Sequence, residues 1–429
     1  MDKVSSFIDR HCLSAKSVNT EEILALFRSE MKKGLQGSSS LAMIPTYVST
    51  DAVIKPGESV IVLDAGGTNF RTCLVTFDEN KNPVISDFQK TGMPGVKEEV
   101  SAKEFFSILA DNVERLIDKS DKIGFCFSYA AEILENHDGI PLLFSKEIKA
   151  PEVIGMRIGE NLLKELADRG FDVTKKRVSI VNDTVATLLA AKAAYPENAS
   201  GYIGFILGTG TNTAYAEKAC NIGKINKDSQ DRQIINVESG GLKFTLGDLD
   251  DAFMATTKNP ETYHLEKKIS GAYLGGFAAL VLDKAIEEGV FSEEFAKRYA
   301  SIERINTTRM SHYLEMPHNN EYDLVRCVDG LEEDATALYI ILKSIIERAA
   351  KLTAINLTAA VVESGAGTEP RYPVVINADG TTFYKTEFLE FYTRLYLDEI
   401  LEKGNKRYYK IVNMDNSPTI GAAIAGLAL

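Results

Sequence analysis

The sequence predicts an α/β fold in which two lobes enclose a cleft. The chain has 429 residues, and a single hydrophobic core rarely grows that large. Short apolar runs, typical of buried strands, alternate with amphipathic helical stretches along most of the chain. Two of these runs end in similar loops rich in glycine and threonine, which indicates two similar halves facing one another.

The first half is predicted to alternate strands and helices. A cap followed by an apolar stripe predicts helical structure over residues 1–36. Apolar runs at 59–63, 72–77 and 83–88, joined by tight turns, predict the antiparallel edge of a mixed sheet. The elements that follow are a helix at 102–117, a strand at 122–127, a helix at 154–168, a strand at 178–181, a helix at 185–194 and strands at 202–207 and 214–217.

The second half is predicted to be mainly helical between residues 250 and 360, with amphipathic helices at 289–303 and 331–357. A strand at 374–377, a helix at 386–402, a strand at 409–412 and a helix from about residue 419 complete the chain. Because no low-complexity linker occurs, we expect the lobes to interleave rather than to be separate domains joined by a flexible linker.

Composition argues against several classes of partner. The net charge of −13 argues against nucleic acid or an anionic membrane. Five scattered cysteines without zinc spacing predict reduced thiols and a cytoplasmic location. No apolar region opens the chain, so no secretory signal is expected, and no run of about 18 apolar residues predicts a membrane span.

The first candidate site is the loop from Asp64 to Arg71. A buried strand ends on Asp64 and turns through Gly66 and Gly67, which let backbone N–H groups approach a phosphate closely. Asp64 is placed to hold Mg²⁺, and Arg71 can pair with phosphate oxygens. The alternative is a hairpin whose turn simply needs glycine. No Gly-Lys-Ser/Thr follows, so the loop is not a P-loop.

A second loop, at 208–212, also carries an apolar strand into a Gly/Thr turn. Alone it is equally compatible with an ordinary turn, but two such loops in one chain strengthen the phosphate-binding interpretation.

Between the loops, a strand ends on Asn182-Asp183 just before a predicted helix. Asp183 or Thr184 could cap that helix. Alternatively, Asp183 is a general base at the carboxyl end of a strand, where the ligand sites of α/β proteins collect. A carboxylate there could accept a hydroxyl proton during phosphoryl transfer.

Taken together, these segments resemble the hexokinase family. The similar segments follow the family's order over nearly the whole chain. They are MKKGL at 31–35, SLAMIPTYV at 40–48, LDAGGTNFR at 63–71, GFCFSY at 124–129, Ser145-Lys146, Asn182-Asp183, GTGTN at 208–212, NVESG at 236–240 and EKKISGAYLG at 266–275.

The resemblance implies a two-lobed actin-like ATPase (ribonuclease H-like) fold, with mixed sheets flanked by helices and a deep cleft between the lobes. The smaller lobe is expected to hold residues 56–185 plus 413–429, and the larger lobe residues 1–55 plus 186–412. The implied reaction is Mg²⁺-dependent transfer of the ATP γ-phosphoryl group to the 6-hydroxyl of a hexose, glucose being the leading candidate. The protein is expected to be a monomer or a homodimer. Regulation through a second, duplicated half of the kind found in double-length members of the family is not expected.

The resemblance also implies roles for individual residues. Asp183 and Lys146 are the expected catalytic residues, and Asp64 and Asp183 the expected Mg²⁺ ligands. The expected sugar-binding residues are Ser128, Ser145, Lys146, Asn182, Asp183, Asn212, Glu238 and Glu266. The expected ATP-binding residues are Asp64, Gly66, Gly67, Thr68, Asn69, Arg71, Gly208, Thr209, Gly210, Asp379 and Ser417.

The chain departs from the family pattern near the expected sugar site. Ala130 replaces the usual Pro, Ser145 replaces Thr, and Ser239 stands where Trp is usual. Two alternatives therefore stay open, namely a kinase for another sugar, such as an amino sugar or ketohexose, and a hexokinase-like sugar sensor with little turnover. Retention of Lys146 and Asp183, with Asp64 and Arg71 in the first loop, argues against the sensor.

Overall fold

The strands form two large mixed sheets and one small hairpin. The structure is a computed structural model that describes residues 3–49, 54–144, 148–196, 198–225 and 228–429. The first strands are β1 (Ile44–Pro45), β2 (Ser59–Gly66), β3 (Asn69–Phe77), β4 (Pro83–Gly92), β5 (Lys122–Phe127), β6 (Ala130–Ile133) and β7 (Gly139–Leu143). They are followed by β8 (Arg177–Val181), β9 (Gly201–Leu207), β10 (Thr211–Lys218), β11 (Arg232–Asn236), β12 (Val374–Asp379) and β13 (Tyr409–Val412).

The two large sheets share one strand order. In the first sheet, β4-β3-β2-β5-β8, strands β4, β3 and β2 are antiparallel and β5 and β8 run parallel to β2. In the second, β11-β10-β9-β12-β13 repeats that arrangement, and β1 pairs with the free edge of β11. The repetition confirms the predicted fold class of two similar α/β halves.

Helices cover the sheets and build most of the second half. The helices up to residue 287 are α1 (Lys3–Arg10), α2 (Thr20–Leu35), α3 (Ala102–Val113), α4 (Ile158–Asp168), α5 (Asp183–Ala194), α6 (Asp248–Ala255), α7 (His264–Ile269) and α8 (Leu274–Glu287). They are followed by α9 (Glu293–Tyr299), α10 (Thr307–Glu315), α11 (Asp323–Cys327), α12 (Glu332–Ser364), α13 (Thr381–Lys385), α14 (Leu389–Leu397) and α15 (Ser417–Leu427). Among the described residues, none of the helices has the length and apolar character needed to cross a bilayer.

Several predicted helices differ from the observed ones in their bounds, and in two of them a side-chain cap begins a helix inside the predicted range. The region 1–36 divides into α1 and α2, and the Asn19 side chain accepts a hydrogen bond from the backbone N–H of Glu22 at the start of α2. The predicted helix at 289–303 shortens to α9, which begins where the Ser292 hydroxyl accepts from the Phe295 N–H. The helix predicted at 386–402 ends as α14 and continues as a wider π-helical turn over Asp398–Gly404.

Helices α5 and α15 lie between the two large sheets, in a buried apolar cluster of their own. Glycines line the contacts made by α5. A Cβ at Gly421 of α15 would lie 1.9 Å from the Ala186 carbonyl oxygen, and one at Gly204 of β9 would lie 2.1 Å from the Thr184 carbonyl oxygen. Because neither contact has room for a side chain, α5 is held closely against both halves, with Asp183 at its first turn. The expected lobe boundaries stay a prediction.

We predict that Gly421→Ala destabilises the protein by about 1–3 kcal/mol, because the added methyl group would meet a backbone carbonyl that cannot rotate away. Chemical unfolding of the purified protein measures the change. Gly92→Ala is the matched control, since nothing lies within 4 Å of a Cβ at that position. Equal losses of stability in the two variants would contradict the close packing of α5 against α15.

Candidate active site

The first candidate phosphate loop is the tight turn between β2 and β3. Asp64 and Arg71 face each other in the register of this hairpin, and Arg71 Nη1 donates to Asp64 Oδ2 over 2.6 Å. Gly67 has a positive φ of 58°, and its carbonyl accepts a 2.6 Å hydrogen bond from the Tyr129 hydroxyl. The other predicted loop residues, Thr68 and Asn69, complete the turn. The loop is therefore anchored at both its strand end and its tip.

Gly66 leaves a polar space beside Asp64. A Cβ at Gly66 would lie 3.4 Å from Asp64 Oδ1, 3.8 Å from Arg71 Nη1 and 3.9 Å from the Ser128 hydroxyl oxygen. A carboxylate and a hydroxyl are oxygen ligands of the kind Mg²⁺ prefers, and a guanidinium suits phosphate. Burial raises the pKa of Asp64, while the neighbouring Arg71 opposes the shift. The residues around this space fit a magnesium–phosphate pair.

The start of α5 shows which residue caps the helix. Asn182 is the cap, because its side-chain oxygen accepts from the Thr184 N–H over 2.9 Å. The alternative that Asp183 or Thr184 caps the helix is therefore wrong. The Asp183 carboxylate instead interacts with the Ser128 side chain and with the Thr184 hydroxyl, 3.3 Å away. Burial raises the pKa of Asp183, these hydrogen bonds lower it, and the charge of Asp64 raises it further.

The predicted sugar side is built on two asparagines and a glutamate. Glu238 has a left-handed backbone, with φ 55° and ψ 49°, and its Oε1 accepts from the side-chain amides of Asn212 at 3.2 Å and Asn236 at 2.8 Å. Asn212 Nδ2 also lies 2.7 Å from Asn236 Oδ1 and 3.4 Å from Asn182 Oδ1. One connected set of amides thus joins the cap of α5 to Glu238.

Three carboxylates share this part of the cleft. Burial raises the pKa of Glu238, its hydrogen bond from Asn236 lowers it, and the charges of Asp183 and Glu266 raise it. Glu266 Oε2 accepts from the Thr211 N–H over 3.0 Å. The arrangement is rich in acceptors, and sugar hydroxyls would supply the matching donors.

The second candidate phosphate loop is fixed by contacts from distant segments. The Gly208 carbonyl accepts from the Gly271 N–H at 2.9 Å and from the Thr382 hydroxyl at 2.8 Å. A Cβ at Gly210 would lie 2.6 Å from Glu266 Oε2, so only glycine fits there without displacement. These contacts bring the predicted residues Gly208, Thr209 and Gly210 next to the segment that follows β12.

A cavity of about 1170 Å³ opens beside Thr209. Its walls come from α10, α12, α13, α14 and the turn before α8, and they carry hydroxyl-bearing, aromatic and charged side chains. The lining includes Gly271, Ala272, Thr307, Thr308, Ser311, Lys343, Thr381, Thr382, Phe388 and Tyr392. The volume exceeds what a drug-sized ligand usually needs, and the lining includes Thr209 of the second loop.

Two predicted ATP-binding residues have other partners. Asp379 accepts from the Gly380 N–H over 2.6 Å, and its charge contributes to the raised pKa of Asp64. Ser417 is fully buried, donates to the Met414 carbonyl at 2.8 Å and accepts from the Asn377 amide at 3.0 Å. Its hydroxyl is therefore engaged in holding the start of α15. The predicted residues Ser145 and Lys146 lie outside the described residues.

Sequence reasoning missed several residues that shape the site. Asn236 belongs to the NVESG segment, two residues before Glu238, but was assigned no role of its own. Tyr129 likewise follows Ser128 directly. Thr382 lies two positions after Asp379-Gly380, so a hydroxyl shortly after a strand-ending Asp-Gly pair was the available signal.

The fold and site together define a two-lobed class of α/β protein with paired glycine-rich loops. Two family models, both described as Hexokinase, match residues 3–193 and 202–428. The chain belongs to the hexokinase family.

Individual relatives agree with this assignment. The chain is 28% identical over 389 residues to Hexokinase-1 of Pongo abelii and 31% identical over 395 residues to Hexokinase-2 of Equus caballus, each match covering 85% of this chain and 42% of the relative. It therefore spans less than half the length of these curated relatives. The solved hexokinase from Schistosoma mansoni complexed with glucose has the same fold, with a TM-score of 0.77, 23% identity and 99% coverage of both chains.

We predict that Glu238→Gln raises the melting temperature at pH 7 by about 1–2 °C. The raised pKa of Glu238 means that the folded state disfavours the ionised side chain, so ionisation costs stability as pH rises through the folded pKa. The gain should disappear below the ordinary pKa of a glutamate, where the side chain is protonated in both folded and unfolded states.

Calorimetry at several pH values measures this difference. Glu217→Gln is the control, because Glu217 is also buried and also accepts hydrogen bonds, from the Tyr215 hydroxyl and the Asn221 amide, but it lies outside the group of carboxylates formed by Asp183, Glu238 and Glu266. This substitution should not raise the melting temperature. A Glu238→Gln variant less stable than the parent at pH 7 would contradict the electrostatic description.

Proposed function

We propose that the chain transfers the γ-phosphoryl group of ATP to the 6-hydroxyl of a hexose, with glucose as the leading candidate. The observation that carries this proposal is the position of Asp183. Its carboxylate lies at the start of α5, in contact with Ser128 and within the electrostatic reach of both Asp64 and Glu238. The phosphate side and the sugar side therefore meet at one carboxylate.

Asp183 is suited to act as the general base. Burial raises its pKa, which makes the carboxylate a better proton acceptor than an exposed aspartate. The hydroxyl of the sugar would give its proton to Asp183 as its oxygen bonds to the γ-phosphorus and the bond from phosphorus to the ADP oxygen breaks. The hydrogen bonds from Ser128 and Thr184 keep the carboxylate in place before the sugar arrives.

Asp64 and Arg71 would handle the phosphates. Asp64, and by our proposal Asp183, would hold Mg²⁺, which when bound neutralises phosphate charge during transfer. Arg71 is already fixed by its 2.6 Å contact with Asp64, so its remaining N–H groups are oriented before a phosphate binds. The Gly208–Gly210 turn would hold the phosphates from the other half, and the cavity beside Thr209 would take the nucleoside.

The sugar would bind among Ser128, Asn182, Asn212, Glu238 and Glu266. Amide and carboxylate groups in alternation match the donors and acceptors of a polyol, and a buried polar group left unpaired is costly. The solved Schistosoma mansoni relative is a complex with glucose, which supports glucose as the first sugar to test. Ser145 and Lys146 complete the proposed set, with Lys146 as a second catalytic residue.

A substrate panel tests the proposal. Purified protein with Mg²⁺ and ATP is assayed for ADP release with glucose, a ketohexose and an amino sugar. We predict sugar-dependent release of ADP with at least one hexose. The Asp183→Asn variant should lose about 10²–10⁴-fold in kcat, with little change in the KM for sugar.

Asp334→Asn is the matched control, since Asp334 is a buried carboxylate that accepts from the Ser292 hydroxyl and N–H at the start of α9. It should lower stability and leave kcat nearly unchanged. Release of ADP by the Asp183→Asn variant at a rate near that of the parent protein would refute the role of Asp183 as general base. Sugar binding without ADP release for every sugar would indicate a sensor instead of a kinase.

A further inference from the structure

The amide of Asn236 is locked in one orientation beneath Glu238. Its Oδ1 accepts from Asn212 Nδ2 over 2.7 Å, and its Nδ2 donates to Glu238 Oε1 over 2.8 Å. The side chain is only 5% exposed, at the last position of β11. Reversing the amide would place two acceptors together at Glu238 and two donors together at Asn212, so this orientation is the favoured one.

Both amides bind the same oxygen of Glu238. Asn236 and Asn212 donate to Oε1, at 2.8 and 3.2 Å. Within the described part of the chain, Oε2 receives no hydrogen bond from either amide. A hydrogen bond from an N–H group to a carboxylate is stronger than a hydrogen bond between two neutral groups. Two such hydrogen bonds to the same oxygen therefore fix the orientation of the Glu238 carboxylate.

The backbone at Glu238 needs such support. A non-glycine residue at φ 55° is held in a sparsely populated conformation. Asn212 Oδ1 accepts from the N–H of Thr213 at 2.7 Å and approaches the N–H of Ser239 at 3.4 Å, so one amide links β10 to the residue that follows Glu238. The pair Asn212–Asn236 therefore supports both the side chain and the backbone of Glu238.

We infer that Asn236 is a positioning residue, which holds Oε1 of Glu238 so that Oε2 stays directed to a hydroxyl of the sugar. This inference rests on the proposed function, since it assumes that Glu238 binds the sugar. Asn236 itself would not touch the substrate. Its loss should weaken sugar binding through Glu238 and leave the affinity for the nucleotide unchanged, because its hydrogen-bond partner in the 208–212 loop is the proposed sugar-binding residue Asn212 rather than the proposed ATP-binding residues Gly208, Thr209 and Gly210.

A double-mutant cycle between Asn236 and Glu238 tests the inference. Asn236→Leu keeps the approximate side-chain volume without the donor, and Asn236→Ala is measured alongside it in case leucine impairs folding. Glucose and Mg-ATP dissociation constants are measured separately by calorimetric titration for the parent, the single variants and the double variant with Glu238→Ala.

We expect Asn236→Leu to weaken glucose binding by about 10-fold or more, the size usual for a hydrogen bond to a charged group. In the Glu238→Ala background, the same change should weaken binding by less than about 2-fold, because the oxygen that Asn236 orients is gone. Mg-ATP binding should change by less than about 2-fold in both backgrounds.

Gln233→Leu is the matched control. Gln233 lies on β11 with a similar exposure of 8%, and its side-chain oxygen accepts from the Tyr47 N–H rather than contacting Glu238. Glucose binding should be nearly unchanged in this variant. Equal losses in Gln233→Leu and Asn236→Leu, or an Asn236 effect that persists without Glu238, would overturn the positioning role.

The cycle separates this inference from the proposed function. Glucose binding with the expected coupling but without turnover would support the role of Asn236 and contradict the kinase proposal. Absence of sugar binding by the parent protein would overturn both.

Discussion

The close packing of α5 between the two sheets is the constraint on which the site depends. Gly421 on one side and Gly204 on the other allow backbone contacts that no side chain could enter. Because α5 begins at Asp183, these contacts fix the carboxylate relative to both halves at once. Each half then supplies one candidate phosphate loop from an equivalent position, since both sheets have the same strand order.

The site is electrostatically costly and is stabilised by specific partners. Asp64, Asp183 and Glu238 all have raised pKa values because burial penalises their charged forms. Arg71 offsets this penalty at Asp64, hydroxyls do so at Asp183, and amides do so at Glu238. The proposed function, which requires acceptors for a sugar and a base for its hydroxyl, accounts for the presence of these groups even though they lower the stability of the protein.

Local sequence patterns predicted the parts of the molecule that local contacts determine. The loops after β2 and β9 and the Asn-Asp pair after β8 each follow directly from an apolar strand, so the strand pattern located them. Helix ends were less accurate because single caps, such as Asn19 and Ser292, decide them.

The remaining features depend on segments distant in sequence. The cavity beside Thr209 is formed by α10, α12, α13 and α14, and no local pattern reveals that these helices surround it. Ser417 was expected beside the nucleotide, but its hydroxyl contacts Asn377, forty positions earlier, in the buried space under α15. The role inferred for Asn236 was not predicted, because it also depends on Asn212, which lies 24 positions earlier and is brought to Asn236 only by the fold.

Analysis of the reaction products by NMR tests most directly whether residues of both halves act together in one phosphoryl transfer from ATP to the sugar. Parent protein is incubated with Mg-ATP and the preferred hexose, and both ADP and sugar products are quantified. If Asp183 receives the proton of the 6-hydroxyl between the two loops, each ADP formed is matched by one hexose 6-phosphate. ADP without a sugar ester, or phosphate on a different hydroxyl, would contradict that geometry.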